Sequence, residues 1–210
     1  MRACELYVIS GPSGVGKSTI VKKIHELAPQ LHVSVSFTSR PCRQGECEGE
    51  DYNYITRREF KERVKRGEFA EWAEVHGHLY GTPKLNVRPP VLLEIDIQGA
   101  RRIKVQYPRA ANIFVLPPTY VELERRLRNR GRERSENEIA RRLATATVEV
   151  RQVEQVADFW LVNNEARASA SKLWELMQLL HLGHRPKGQL CCKDVLGRVL
   201  ETFPSNGVTA

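Results

Sequence analysis

The run Gly11-Pro12-Ser13-Gly14-Val15-Gly16-Lys17-Ser18-Thr19 constrains this chain more than any other stretch. It matches G-x-x-x-x-G-K-[ST], and its surroundings suit that loop. Ahead of it, Leu6-Tyr7-Val8-Ile9 predicts a buried strand. Behind it, Ile20, Val21, Ile24 and Leu27 recur at helical spacing up to Pro29. A glycine-rich turn between strand and helix lets consecutive backbone N–H groups face phosphate oxygens, and the helix N-terminus adds partial positive charge. Lys17 would reach the β- and γ-phosphates, and the Ser18 hydroxyl would serve Mg²⁺. A chance glycine-rich turn is the bland alternative, but it would not bring every fixed position and the strand–turn–helix setting together. The chain is therefore predicted to bind a nucleoside triphosphate through Gly11 to Thr19.

The rest of the composition narrows the partners. No apolar run approaches the roughly 20 residues that span a bilayer, and the first strand begins too early to leave room for a signal peptide. A cytoplasmic protein without a membrane partner is expected. The formal net charge is +8, and arginine dominates the excess. Arg125, Arg126, Arg128, Arg130, Arg132, Arg134, Arg141 and Arg142 crowd into one segment. No aromatic residues interleave with them as a base-stacking platform would require. Phosphate handling, rather than nucleic-acid binding, is the expectation. Cys4, Cys42, Cys47, Cys191 and Cys192 form no C-x-x-C pair, and their odd number argues against a disulfide framework. His76, His78, His181 and His184 have no ligand partners in sequence, so no structural metal is expected.

Short, nearly continuous apolar strands are predicted at 5–10, 91–97, 112–116 and 158–162, as parallel strands buried on both faces require. Helices separate them. Thr119 with Glu122 and Ser135 with Glu138 read as capping boxes opening two of these. A further helix is predicted over 166–182, and another over 190–203. Alternation of strand and helix implies a parallel α/β core. Residues 34–82 break the rhythm. A strand at 51–55, a helix at 57–66 and strands at 69–75 and 78–80 predict a small β-rich insertion.

The combined residues carry a family likeness. The P-loop run, Ser34 through Glu46, Asp51-Tyr52-Asn53-Tyr54, Glu71-Trp72-Ala73, Tyr80-Gly81-Thr82-Pro83, Leu93 through Ala100, Arg126 through Leu143 and Val162-Asn163-Asn164 occur in order. Over about residues 5–183 the chain resembles bacterial guanylate kinases. The resemblance implies a P-loop NTPase core, here divided as 1–33, 83–125 and 143–183. It also implies a GMP-binding insertion at 34–82 and an arginine-rich lid at 126–142, with 184–210 as a C-terminal tail. It further implies Mg²⁺-dependent phosphoryl transfer from ATP to GMP or dGMP. Lys17, Arg43, Arg130 and Arg142 would then act on the transferring phosphate. Ser36, Arg40, Arg43, Tyr52, Glu71, Tyr80, Thr82 and Glu94 would bind GMP, and Asn163 and Asn164 would flank the ATP base. Asp96 would orient Mg²⁺ waters or a basic residue. The chemistry agrees. Arginine's planar fork suits phosphate, and a carboxylate at Glu71 accepts from guanine N1–H and the 2-amino group, which adenine cannot match.

Two departures from the family pattern stand out. Relatives carry a longer, helical connection after Thr82, whereas Pro83-Lys84-Leu85-Asn86-Val87-Arg88-Pro89-Pro90 has too many prolines for a helix. A tight extended loop is expected instead. The arginine segment is slightly longer than usual, which leaves Arg126 and Arg141 as alternatives to Arg130 and Arg142. A non-catalytic binding module would lack Lys17 and the acceptor arginines. A GTPase-type switch would carry Asn-Lys-x-Asp, which is absent. Oligomeric state and the tail's role are not legible.

Overall fold

A computed structural model describes residues 4–75, 77–86, 90–129, 135–186 and 193–205. The chain runs β1 (Leu6–Ser10), α1 (Lys17–Leu27), β2 (His32–Ser34), β3 (Phe37–Thr38), β4 (Asn53–Tyr54), α2 (Arg57–Lys65), β5 (Phe69–Val75) and β6 (His78–Pro83). It continues with β7 (Val91–Glu94), α3 (Ile97–Gln106), β8 (Ala111–Leu116), α4 (Tyr120–Asn129), α5 (Glu136–Arg151), α6 (Val153–Val156), β9 (Phe159–Val162), α7 (Ala166–His181) and α8 (Lys193–Glu201).

Five strands form a wholly parallel sheet in the order β2-β7-β1-β8-β9. Alternation within each strand builds two cores. Leu6 and Val8 of β1, Leu93 of β7 and Phe114 of β8 face one side, with the apolar stripes of α3, α4 and α5. Tyr7 and Ile9, Leu92, and Ile113 and Val115 face the other, against α1 and α7. Burial on both faces explains why these strands read as continuous apolar runs. The capping predicted from sequence is present: Glu122 N donates to Thr119 Oγ1 at 3.1 Å and Glu138 N to Ser135 Oγ at 3.3 Å.

The insertion is a separate four-stranded sheet, β4-β3-β6-β5, mostly antiparallel. Its core is small. Phe60 of α2 is fully buried, stacks on Phe69 with centroids 4.6 Å apart, and abuts Gly81, where a Cβ would meet the Phe60 ring at 2.8 Å. A register shift between Phe69 and Glu71 marks a bulge in β5. Beyond it Glu71 and Ala73 point inward while Trp72 and Glu74 point out.

Several boundaries differ from expectation. Ser34 closes β2, a strand of the parallel sheet, so the insertion sheet starts only at Phe37. The strand expected at 51–55 shrinks to Asn53–Tyr54. The strand expected at 91–97 ends at Glu94, because Asp96 caps α3 by accepting from Gly99 N at 2.7 Å. The connection after Thr82 is extended at its start, with Pro83 in β6 and Lys84 N donating to Glu68 O at 2.9 Å. Residues 87–89 lie outside the described residues. No described helix is long and apolar enough to cross a membrane.

Phe60→Ala is expected to cost the insertion about 3–5 kcal/mol. Urea unfolding followed at Trp72 should show the loss; an unchanged midpoint would contradict this packing account.

Candidate active site

The P-loop sits where β1 hands over to α1, at the carboxyl ends of the parallel strands. Gly11 has φ +140°, and a Cβ there would lie 2.4 Å from Val115 O, so only glycine lets the chain pass β8 at this point. Gly16, at φ +101°, would likewise press a Cβ to 2.6 Å from Asn163 Nδ2. Lys17 Nζ donates to Gly11 O at 2.6 Å and Pro12 O at 3.2 Å, which holds it over the loop. Ser18 Oγ donates to Glu94 Oε1 at 2.7 Å. Thr19 is exposed.

Asn163 is buried and spends both ends of its amide on protein. Its Nδ2 donates to Val15 O at 2.8 Å and its Oδ1 accepts from Ser169 Oγ at 2.9 Å. These bonds make its side chain a buttress of the P-loop. Asn164 is exposed. Arg126 Nη1 donates to Val15 O at 3.1 Å and Nη2 to Asn163 O at 2.9 Å. Arg142 is buried, donates to Ser13 Oγ at 2.8 Å, and is held from behind by Glu138 at 2.7 Å. Arg141 is exposed. Arg130, Arg132 and Arg134 fall outside the described residues.

The insertion presents a cluster of aromatic rings and arginines. Arg40 is buried, and its Nε donates to Tyr80 OH at 3.2 Å. Its guanidinium lies 5.4 Å from the Tyr52 ring centroid and 5.7 Å from that of Tyr54. The Tyr52 and Tyr80 rings meet edge to face at 5.8 Å. Arg43 is exposed overall. Partial desolvation of its head group, then Arg40 and Arg142, push its pKa down.

Glu46 was not among the sequence candidates, yet it organises this cluster. Its carboxylate takes a two-pronged contact from Arg40 at 2.9 and 3.0 Å, the Tyr54 hydroxyl at 2.7 Å and Arg43 N at 2.9 Å. Burial alone would raise its pKa. Arg40, Tyr54 and the Arg43 N–H outweigh that and bring it to about 2. The available signal was an acidic residue three positions after Arg43, with Gly45 at φ +82° turning the chain back.

Glu71 is the buried carboxylate of the site. The β5 bulge sets it opposite Thr82, whose Oγ1 donates to Glu71 Oε1 at 2.6 Å. Gly99, in the first turn of α3, lets that carboxylate approach: a Cβ would be 3.0 Å from Oε2. Burial raises its pKa to about 6, against the opposing Thr82 hydrogen bond, with Asp96 adding repulsion. Ser36 is buried too, between β2 and β3. Glu149 was also missed. It lies two helical turns beyond Arg142, so both share one face of α5. Burial lifts its pKa to about 7 despite attraction from Lys17, and Asp96 pushes the same way.

The Glu94 carboxylate faces Ser18 beside the P-loop, and Tyr52 also feels its charge. Asp96 spends one oxygen on the α3 cap. Among the described residues no group of three or more His, Cys, Asp or Glu could hold a metal. A hydroxyl and a carboxylate 2.7 Å apart do suit Mg²⁺, which takes one or two carboxylates and fills its shell with waters and phosphates.

Comparison with known proteins agrees with this geometry. The guanylate kinase family profile matches residues 3–180. The guanylate kinase of Thermosynechococcus vestitus is 44% identical over 171 residues, covering 79% of this chain and 88% of the relative. That of Frankia casuarinae is 46% identical over 178 residues, covering 82% and 96%. The crystal structure of guanylate kinase from Anaplasma phagocytophilum superposes with a TM-score of 0.70 at 29% identity, covering 86% of this chain and 88% of that one.

Glu71 gives a stability signature. Its folded pKa, about 6, exceeds the ordinary 4.5, so the native state holds the proton more tightly. That contribution is present below pH 4.5 and is lost as pH rises through about 6, costing about 2 kcal/mol. Glu71→Gln should remove this loss, so its stability relative to the parent should grow between pH 4.5 and 7. Parallel stability profiles for the two proteins would refute the buried-carboxylate account.

Proposed function

This chain belongs to the guanylate kinase family, the ATP:GMP phosphotransferases, and on that premise we propose how its residues divide the reaction. The P-loop, with Lys17, receives the triphosphate of ATP. Arg126 and Arg142, already bonded to Val15 and Ser13, flank it. The insertion receives GMP: Arg40, Arg43, Tyr52, Tyr54 and Tyr80 face its phosphate, while Glu71, Thr82 and Ser36 face the base. dGMP fits the same reading, since none of these groups needs the 2′-hydroxyl.

The observation that carries this reading is the buried Glu71–Thr82 pair. A carboxylate taken from water and held by one hydroxyl retains acceptor capacity for two more donors. Guanine's N1–H and 2-amino group supply them, whereas adenine offers an acceptor at N1 and would leave the charge unpaired. Glu46 contributes indirectly, fixing the guanidinium plane of Arg40 so that the phosphate meets a preset fork. In the donor half, Ser18 and Glu94 would hold Mg²⁺, which when bound neutralises charge on the β- and γ-phosphates.

Phosphoryl transfer asks little covalent chemistry of the protein. Lys17 releases its carbonyl contacts to meet phosphate oxygens. Arg43 and Arg142, mutually repulsive without ligand, are brought together by an anion between them. The two substrate halves sit on separate sheets, so their approach excludes water, the competing acceptor. The segment 126–142 as a lid, and 34–82 as the GMP-binding unit, belong to this same proposal, as does a cytoplasmic location. The reading needs no nucleic acid or membrane.

ADP formation should require GMP or dGMP and Mg²⁺; equal turnover with AMP or UMP would refute the assignment of Glu71. Affinity for GMP, measured by calorimetry, should fall as pH drops below about 6, where Glu71 takes up a proton. Lys17→Ala should lower kcat by about 10²-fold or more while leaving GMP affinity nearly intact. Arg142→Ala should raise KM for ATP and lower kcat with KM for GMP little changed. Equal effects on both substrates would remove Arg142 from the donor side.

A further inference from the structure

The family match ends at residue 180, yet α8 lies beyond it and is firmly docked. Leu196, Val199 and Phe203 are buried, 2–4% exposed, in the same apolar cluster as Leu123 and Leu127 of α4 and Ile139, Leu143 and Val150 of α5. Polar contacts fix the ends of this dock. Thr202 Oγ1 accepts from Tyr120 N, the first residue of α4, at 3.0 Å, and donates to Val199 O at 2.7 Å. Arg151 Nη2, on the last residue of α5, donates to Pro204 O at 2.7 Å. The Phe203 ring meets Tyr120 edge to face at 5.3 Å. Lys193 Nζ lies 3.7 Å from Glu154 Oε1 on α6.

These contacts fall at the beginning of α4 and the end of α5. Arg126 and Arg142, which touch the P-loop, lie on the same two helices one to two turns or more away from those ends. We propose that residues 193–205 act as a strap: they tie the start of α4 to the end of α5 and so hold the two arginine-bearing helices at the angle that places Arg126 and Arg142 against the P-loop. A helix whose first N–H is capped from another segment, and whose partner's last residue is tethered to that segment, cannot splay without breaking both bonds and exposing Phe203. The kinetic consequence rests on the donor-side reading of these arginines. Failure of that reading shows separately, in the Arg142→Ala kinetics above.

The test compares the full chain with Phe203→Ala, Phe203→Leu and Thr202→Val. The last removes the Tyr120 cap, together with the local bond to Val199 O, from an exposed position and leaves the apolar dock intact, so it serves if Phe203→Ala does not fold. Hydrogen exchange should quicken by about tenfold or more in both 120–129 and 136–151 for Phe203→Ala, less for Thr202→Val, and not in β5, β6 or α7. KM for ATP should rise several-fold with KM for GMP unchanged, and Phe203→Leu should restore most of both. Faster exchange confined to 193–205, faster exchange spread evenly over the chain, or unaltered KM for ATP alongside loosened helices would each overturn the strap.

Discussion

The bond from the Asn163 amide to Val15 O, buried between β9 and the P-loop, is the contact on which the site depends. A phosphate-binding loop must turn its N–H groups toward the ligand, which leaves its carbonyls pointing into protein and in need of donors. Asn163 serves one of them, Arg126 serves the same oxygen from α4, and Lys17 serves two others. Ser169 of α7 fixes the Asn163 amide in turn. The end of the last strand, the start of the last core helix and an arginine helix thus converge on one loop carbonyl. The loop is shaped before any nucleotide arrives.

The cluster on the insertion sheet is organised on the opposite principle. There the fixed point is negative charge: Glu46 gathers Arg40, Tyr54 and the Arg43 N–H, and Glu71 sits beside Thr82 under Gly99. Glu46 is held ionised by its partners, whereas Glu71 pays a desolvation penalty that raises its pKa. The same side-chain type is thereby found in two states, a strut held ionised by its partners and a buried group that holds its proton to higher pH. α5 brings Arg142 to Ser13 and Glu149 to the neighbourhood of Lys17 and Asp96.

Much of this was readable from residue order. The parallel sheet, the strand–loop–helix at 6–27, the inserted sheet and the capping boxes at Thr119 and Ser135 follow from local periodicity and cap chemistry. Those signals act over a few residues and survive without tertiary context. Misjudged boundaries have equally local causes: Asp96 stops β7 early because its carboxylate prefers the α3 amide, and the alternating run at 33–38 divides between two sheets at Ser34. Glu46, Glu149 and the contact of Glu94 with Ser18 were not readable, since each depends on distances between segments far apart in the chain or around a turn.

The sequence by itself determined that a P-loop joins the first strand to the first helix, that the core is a parallel α/β sheet, and that the chain belongs with the guanylate kinases, because glycine, lysine, arginine and apolar periodicity have narrow conformational and chemical meanings. Only the tertiary structure decided how those residues are held. Asn163 became a buttress, Arg40 a guanidinium clamped by Glu46, Glu71 a buried carboxyl and the C-terminal segment a helix packed on α4 and α5. Burial and bond geometry set these roles, and both are properties of the packed chain, where a group's neighbours, not its own chemistry alone, fix its charge and direction.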